Sequence, residues 1–148
     1  MLNEKLVNFC NENFDNPKII LNKLLEYKKI LIKENKSMNL IGKSTIDDLD
    51  ERHFLDCIQI VKYLPHHEKS LMDIGTGAGL PGIILSIIGF KNLHLVEKSP
   101  KKSLFLENCK LQLDLNYHVH NKSITEISDL NVDCITALNF GCNCIAIL

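Results

Sequence analysis

Leu71-Met72-Asp73-Ile74-Gly75-Thr76-Gly77-Ala78-Gly79-Leu80-Pro81-Gly82, followed by Ile83-Ile84-Leu85-Ser86-Ile87-Ile88, decides the fold of this chain. A short apolar run meets three glycines at alternate positions, then a second apolar run. That order predicts a buried strand, a tight turn and a buried helix. Glycine enters backbone angles that a Cβ forbids and lets a ligand approach the main chain closely. Unpaired N–H groups at the start of the helix would suit a polar or anionic ligand group. In an open parallel sheet, ligands bind beyond the carboxyl ends of the strands, where this turn would lie.

Two acids flank the turn. Asp73 sits inside the first apolar run, where an unpaired carboxylate is costly. It is therefore expected to accept hydrogen bonds from the turn's N–H groups or to face the ligand. Leu93-His94-Leu95-Val96-Glu97 is a second short strand closed by an acid. An acid about 20 residues beyond the first glycines is placed to hold ribose hydroxyls. The plainer alternative is a structural strand–turn–helix, with Glu97 serving as a cap. The two acids together favour a nucleoside site.

Downstream, Ser99-Pro100 opens a third helix, with proline at its first position. Its apolar residues are Leu104, Phe105, Cys109, Leu111 and Leu113. Lys98, Lys101 and Lys102 crowd its start, where the helix dipole disfavours cations. This local misfit points to phosphates near the cofactor edge. Tyr117-His118-Val119-His120 reads as a third strand, Ser123 to Leu130 as a polar loop or short helix, and Val132 to Thr136 as a fourth strand. The alternation implies an α/β fold with parallel strands and right-handed crossovers.

Upstream, the chain reads as helical. Met1 to Asn13 is a short helix. Asp15-Asn16-Pro17 starts a longer one, with apolar residues at helical spacing over 18–35. Lys23, Lys28, Lys29 and Lys33 line its other side, ordinarily a solvated face and alternatively a surface for RNA phosphates. Ser44 or Thr45 caps a further helix reaching Pro65. Within it, Arg52 and Asp56 stand four apart and are expected to pair. His53 reads more readily as a packed or surface residue than as a catalytic one.

The composition bounds the possibilities. The 148 residues fit one domain with at most a small appendage, and 45% hydrophobic with 24% charged residues suits a soluble globular protein. A net charge of −1 supplies no global field for nucleic acid, so any such surface must be local. Six cysteines occur without C-x-x-C pairs, and no secretory signal precedes them. Reduced, buried thiols in a cytoplasmic protein are the expected state. No metal-ligand spacing occurs, and no apolar stretch reaches membrane-spanning length.

With these residues in view, the chain resembles the glucose-inhibited division protein B family, the bacterial small-subunit ribosomal RNA guanine-N(7) methyltransferases. The matching stretches are Asn39-Leu40, Arg52-His53-Phe54-Leu55-Asp56, Asp73 to Gly82, and Lys101-Lys102 followed by Phe105-Leu106. The resemblance runs from the middle of the first long helix to Ala137. It implies S-adenosylmethionine as cofactor and small-subunit ribosomal RNA, or the ribosomal particle, as substrate. It also implies a Rossmann-like, doubly wound methyltransferase sheet. Gly75 and Leu80 line the implied cofactor site, beside Asp73, Gly77 and Gly79. Glu97 holds the ribose, and Ile124 and Thr125 fall on the adenine side. Arg52, His53, Lys98, Lys101 and Lys102 are the implied RNA contacts. The receiving nitrogen carries a lone pair and no proton to lose, so alignment and desolvation suffice. No catalytic acid or base and no metal are assigned, and a monomer is expected.

Two departures qualify the resemblance. Leu138 stands where the family carries an arginine, and Asn139 to Leu148 leaves the family pattern. The expected organisation is a helical region at 1–66, a cofactor-binding core at 67–137 and a displaced tail at 138–148. About four parallel strands of a seven-stranded sheet are expected, as in a truncated form of impaired activity. The rivals are an inactive remnant and a nucleotide-binding oxidoreductase, since Gly77 to Gly82 also spells G-x-G-x-x-G.

Overall fold

The computed structural model describes the backbone of residues 1–139 and 142–147, and side chains through residue 138. The first helix, α1 (Glu4–Asn13), is capped by Asn3, whose side chain accepts a hydrogen bond from the Lys5 amide. Helix α2 (Pro17–Met38) starts at the expected proline and runs three residues beyond the expected end at Asn35. It stops where Asn39 takes a left-handed conformation at φ 50°.

The single helix expected from Ser44 to Pro65 is instead four short pieces. A 3₁₀ turn (Lys43–Thr45) precedes a π-helical turn (Asp50–Leu55), then α3 (Asp56–Gln59) and a second 3₁₀ turn (Ile60–Tyr63). His53, Phe54 and Leu55 are all buried. Three consecutive buried residues exceed the stripe that a regular surface α-helix turns inward. The π turn accommodates them. Asp50 fastens this turn to both earlier helices. It accepts hydrogen bonds from the Asn3 amide at 2.7 Å and the Lys28 ammonium at 2.9 Å.

The rest of the chain alternates as expected: β1 (Leu71–Ile74), α4 (Gly82–Ile87), β2 (Leu93–Val96), α5 (Pro100–Gln112), β3 (His118–His120), β4 (Cys134–Asn139) and β5 (Cys142–Ile147). The sheet order is β3-β2-β1-β4-β5. The first four strands are parallel, and β5 runs antiparallel to β4. The core is therefore a four-stranded parallel sheet with helices packed on it, the Rossmann-like architecture expected. The tail expected to be displaced is paired instead: residues 142–147 form β5 along the outer flank of β4.

The register explains the burial. Leu71, Leu93 and Cys134 form one inward row, and Asp73, Leu95 and Thr136 form the next, all buried. Helix α4, buried along its whole length, packs on β2. Helix α2 packs against both α4 and α5. The chain steps from β1 to β2 to β3 in one direction, then β4 returns to the other flank of β1. Strand order reverses at that point, and the crevice beyond the carboxyl end of β1 is the binding position such sheets provide. Cys10, Cys57, Cys109 and Cys134 are buried, and burial pushes the thiols of Cys10 and Cys109 up to about 11 and 12. The remaining two cysteines lie outside the described side chains.

Candidate functional site

The glycine turn runs from Gly75 to Pro81 at the carboxyl end of β1. Gly75, Gly77 and Gly79 all have positive φ, at 64°, 57° and 88°. They differ in what surrounds them. A Cβ on Gly79 would collide with the side chain of Ile83, so this glycine is required for helix–turn packing. At Gly75 no atom lies within 4 Å of where a Cβ would stand, and the residue is exposed. Gly75 therefore marks the side of the turn open to a ligand.

Most of the turn's amides are engaged within the protein. Those of Gly75 and Thr76 donate to the Val96 carbonyl, and those of Gly79 and Leu80 donate to the Thr76 carbonyl. The Gly77 amide donates to Glu97 Oε2 at 3.0 Å. The Gly82 amide, first in α4, donates to Asp73 Oδ2 at 2.9 Å. This corrects the expectation of free N–H groups at the helix start. Each of the two acids holds one of these donors, and the Val96 and Thr76 carbonyls hold four others.

Asp73 meets the first of its two expected roles. One carboxylate oxygen holds the Gly82 amide, and the other accepts the Thr136 hydroxyl from β4 at 3.1 Å. Burial pushes its carboxyl up to about 6, although the hydroxyls of Thr76 and Thr136 and the Gly82 amide favour the ionised form. A Cβ on Gly82 would stand 2.9 Å from Asp73 Oδ2, so only glycine lets the helix start so close. Thr76 Oγ1 is buried facing Asp73, near enough to favour its ionised form but without a hydrogen bond of full geometry.

Glu97 is buried at the end of β2, and its two oxygens hold the amides of Gly77 and Ser99. It thus stands against the turn. Asn121, just beyond β3, donates to the carbonyls of Glu97 and Lys98 at 3.0 and 3.1 Å. This tie brings the 3₁₀ turn of Ile124 and Thr125 to the same end of the sheet. Ile124 is an exposed apolar side chain, and Thr125 hydrogen-bonds Ser123.

The expected RNA contacts divide into two kinds. Lys98 and Lys101 are exposed and Lys102 is half-buried; none of the three forms an ion pair among the described residues. Arg52 is exposed, but it pairs with Asp48 at 3.5 Å rather than with Asp56. The wide π turn takes Arg52 and Asp56 off the common face that an α-helix would give them, whereas Asp48 precedes that turn and keeps the ordinary four-residue spacing to Arg52. His53 is buried against Thr45 Oγ1 at 2.9 Å, and burial lowers its pKa. It is spent inside the protein.

A sequence profile described as GidB, rRNA small subunit methyltransferase G, matches residues 20–142. The chain belongs to this family. Ribosomal RNA small subunit methyltransferase G of Rickettsia rickettsii (strain Sheila Smith) is 38% identical over 133 residues, covering 87% of this chain and 70% of the relative. The same-named protein of Rhodospirillum rubrum is 37% identical over 119 residues, covering 80% of this chain and 59% of the relative. The family match continues past Ala137, into the first residues of the segment whose sequence reads as a foreign tail.

Membership of the methyltransferase G family makes the chain a methyltransferase by resemblance. The structure shows contacts of residues that sequence reasoning does not single out. Thr136 joins β4 to Asp73, and Asn121 joins β3 to the end of β2. Thr136 lies within β4 and Asn121 just past β3, where neither residue type announces its partner in the sequence. In the sequence Tyr27 is only one apolar position of a helix. Its hydroxyl donates to the Ala78 carbonyl within the turn at 2.5 Å, a contact 51 positions away in sequence that no local pattern announces. Among the described residues no helix is long and apolar enough to cross a membrane, and no cluster of ligating side chains could hold a metal.

Proposed function

We propose that this chain transfers a methyl group from S-adenosylmethionine to guanine N(7) in small-subunit ribosomal RNA. One observation carries the choice of cofactor. The amides of Gly75, Thr76, Gly77, Gly79 and Leu80 in the glycine turn are occupied, and two carboxylates stand at the turn. A dinucleotide's diphosphate needs free amides and would be repelled by Asp73 and Glu97. A ligand with a cationic sulfonium and ammonium meets carbonyls and carboxylates that favour it. This argues against the oxidoreductase reading of the G-x-G-x-x-G string.

The residues fit such a nucleoside. Open space beside Gly75 admits it to the main chain. Glu97 would receive the ribose hydroxyls while keeping the turn in place. Asp73 and Leu80 would support the turn, with Gly77 and Gly79 shaping it, and Ile124 and Thr125 would border the adenine. When bound, S-adenosylmethionine supplies an electrophilic methyl on a sulfonium leaving group. The chain's contribution is alignment and exclusion of water, because the N(7) lone pair attacks without loss of a proton. Lys98, Lys101, Lys102 and Arg52 would meet RNA phosphates, with His53 holding its segment in position. The protein would act in the cytoplasm as a monomer.

The test is titration calorimetry of S-adenosylmethionine against NAD, with methyl transfer to purified small ribosomal subunits that lack the modification. Micromolar binding of the first, none of the second and methylation of one guanine are expected. Binding of NAD alone would overturn the reading. Cofactor binding without methyl transfer would leave a chain that binds its cofactor but does not act.

A further inference from the structure

We infer that Tyr27 is a positioning residue for the cofactor turn, joining the segment with the proposed RNA contact Arg52 to the methyl-donor site; this rests on the function proposed above. Tyr27 projects from α2, outside the sheet, and is fully buried. Its hydroxyl donates to the carbonyl of Ala78, between Gly77 and Gly79, at 2.5 Å. Its ring stacks on Phe54 with centroids 5.2 Å apart and planes 9° apart. Phe54 belongs to the π turn that carries Arg52 on its exposed side and His53 on its inner side.

The turn is gripped from two directions. Glu97 holds the Gly77 amide from the sheet side, and Tyr27 holds the neighbouring Ala78 carbonyl from the helical side. The peptide groups on either side of the Gly77–Ala78 link, each next to a left-handed glycine, are thereby fixed. Such glycines have many alternative conformations, so their geometry depends on external tethers. Burial holds the Tyr27 phenol protonated far above neutral pH, so the donor is always available. A displacement of the π turn reaches the cofactor turn through one rigid aromatic stack. RNA contact at Arg52 and cofactor affinity are therefore coupled, and coupling between two sites is reciprocal.

The experiment compares three full-length variants with the wild type by calorimetry with S-adenosylmethionine, well below their melting temperatures. Tyr27→Phe keeps the stacked ring and removes only the hydroxyl. Its dissociation constant should rise roughly three- to tenfold, the range for one lost hydrogen bond. Tyr117→Phe is the matched control. That tyrosine is also buried, and its hydroxyl donates to the Leu106 carbonyl of α5 at 2.6 Å rather than to the backbone of the turn. Its loss should lower the melting temperature without moving the affinity. Phe54→Leu loosens the stack but spares the hydroxyl, and should weaken binding by a smaller factor; it carries the test if Tyr27→Phe folds poorly. Wild-type binding with equal affinity in Tyr27→Phe, or equal weakening in Tyr117→Phe, overturns the inference alone. Failure of the wild type to bind overturns the proposed function as well.

Discussion

Asp73 is the residue whose chemistry is most exposed to test. Its carboxyl is pushed by burial from an ordinary 3.8 to about 6. Between those values the folded chain keeps a proton that the unfolded chain has lost. This contribution to stability is full below about pH 4 and is lost as pH rises through 6. Asp73→Asn abolishes the titration while keeping the shape. Relative to the variant, the wild type should lose on the order of 2 kcal/mol between pH 4 and pH 7, read from urea melts across that range. Parallel curves for the two proteins would show that Asp73 does not titrate there. At this scale the sequence is informative about acids and poor about their partners. Asp73 and Glu97 stand out because carboxylates interrupt apolar strands. Thr136, Asn121 and Tyr27 do not, because a hydroxyl or amide in a strand or helix carries no signal until the partner's position is known. Arg52 has a different partner from the one its spacing suggests, because the π turn has no sequence signature comparable to that of an α-helix.

The glycine turn behaves as one element with two unlike ends. Gly79→Ala adds strain at φ 88° and a collision with Ile83, and should cost roughly 2–4 kcal/mol in denaturant unfolding. Gly75→Ala adds only conformational strain, about 1–2 kcal/mol, since the space beside it is open. It should nevertheless weaken S-adenosylmethionine binding more than tenfold, because that space is the proposed seat of the ligand. Calorimetry beside urea melts separates the two effects. Equal affinity in Gly75→Ala and wild type would move the ligand elsewhere. The start of α5 makes a separate prediction. Lys98→Gln with Lys101→Gln should weaken RNA binding at low salt. It should also lower the slope of log affinity against log salt by about 0.7 for each single-strand phosphate no longer neutralised. An unaltered slope, measured by filter binding, would remove these lysines from the RNA face. Strand and helix types are legible along this stretch because Gly, Pro and alternating apolar runs punctuate it. The 44–65 segment is not, because a regular helical periodicity conceals a change of helix pitch.

For the molecule as a whole, the parallel order of the first four strands follows from alternation and short crossovers. The antiparallel β5 does not. Its residues stand out in the sequence only by their departure from a family pattern, and pairing with a neighbour's backbone asks little of side-chain identity. Deleting residues 140–148 should therefore bare the flank of β4. The shortened protein should self-associate at micromolar concentrations in light scattering and melt several degrees lower. A monomer of unaltered melting temperature would show that this flank needs no cover. The placement of β4 has one more consequence. Thr136 reaches back across 63 positions to Asp73, and β1 gains its second neighbour only when β4 arrives. During synthesis, the earlier strands leave the exit tunnel with their central member bare on one side. The nascent chain should stay unable to take up its methyl donor until that late strand has docked.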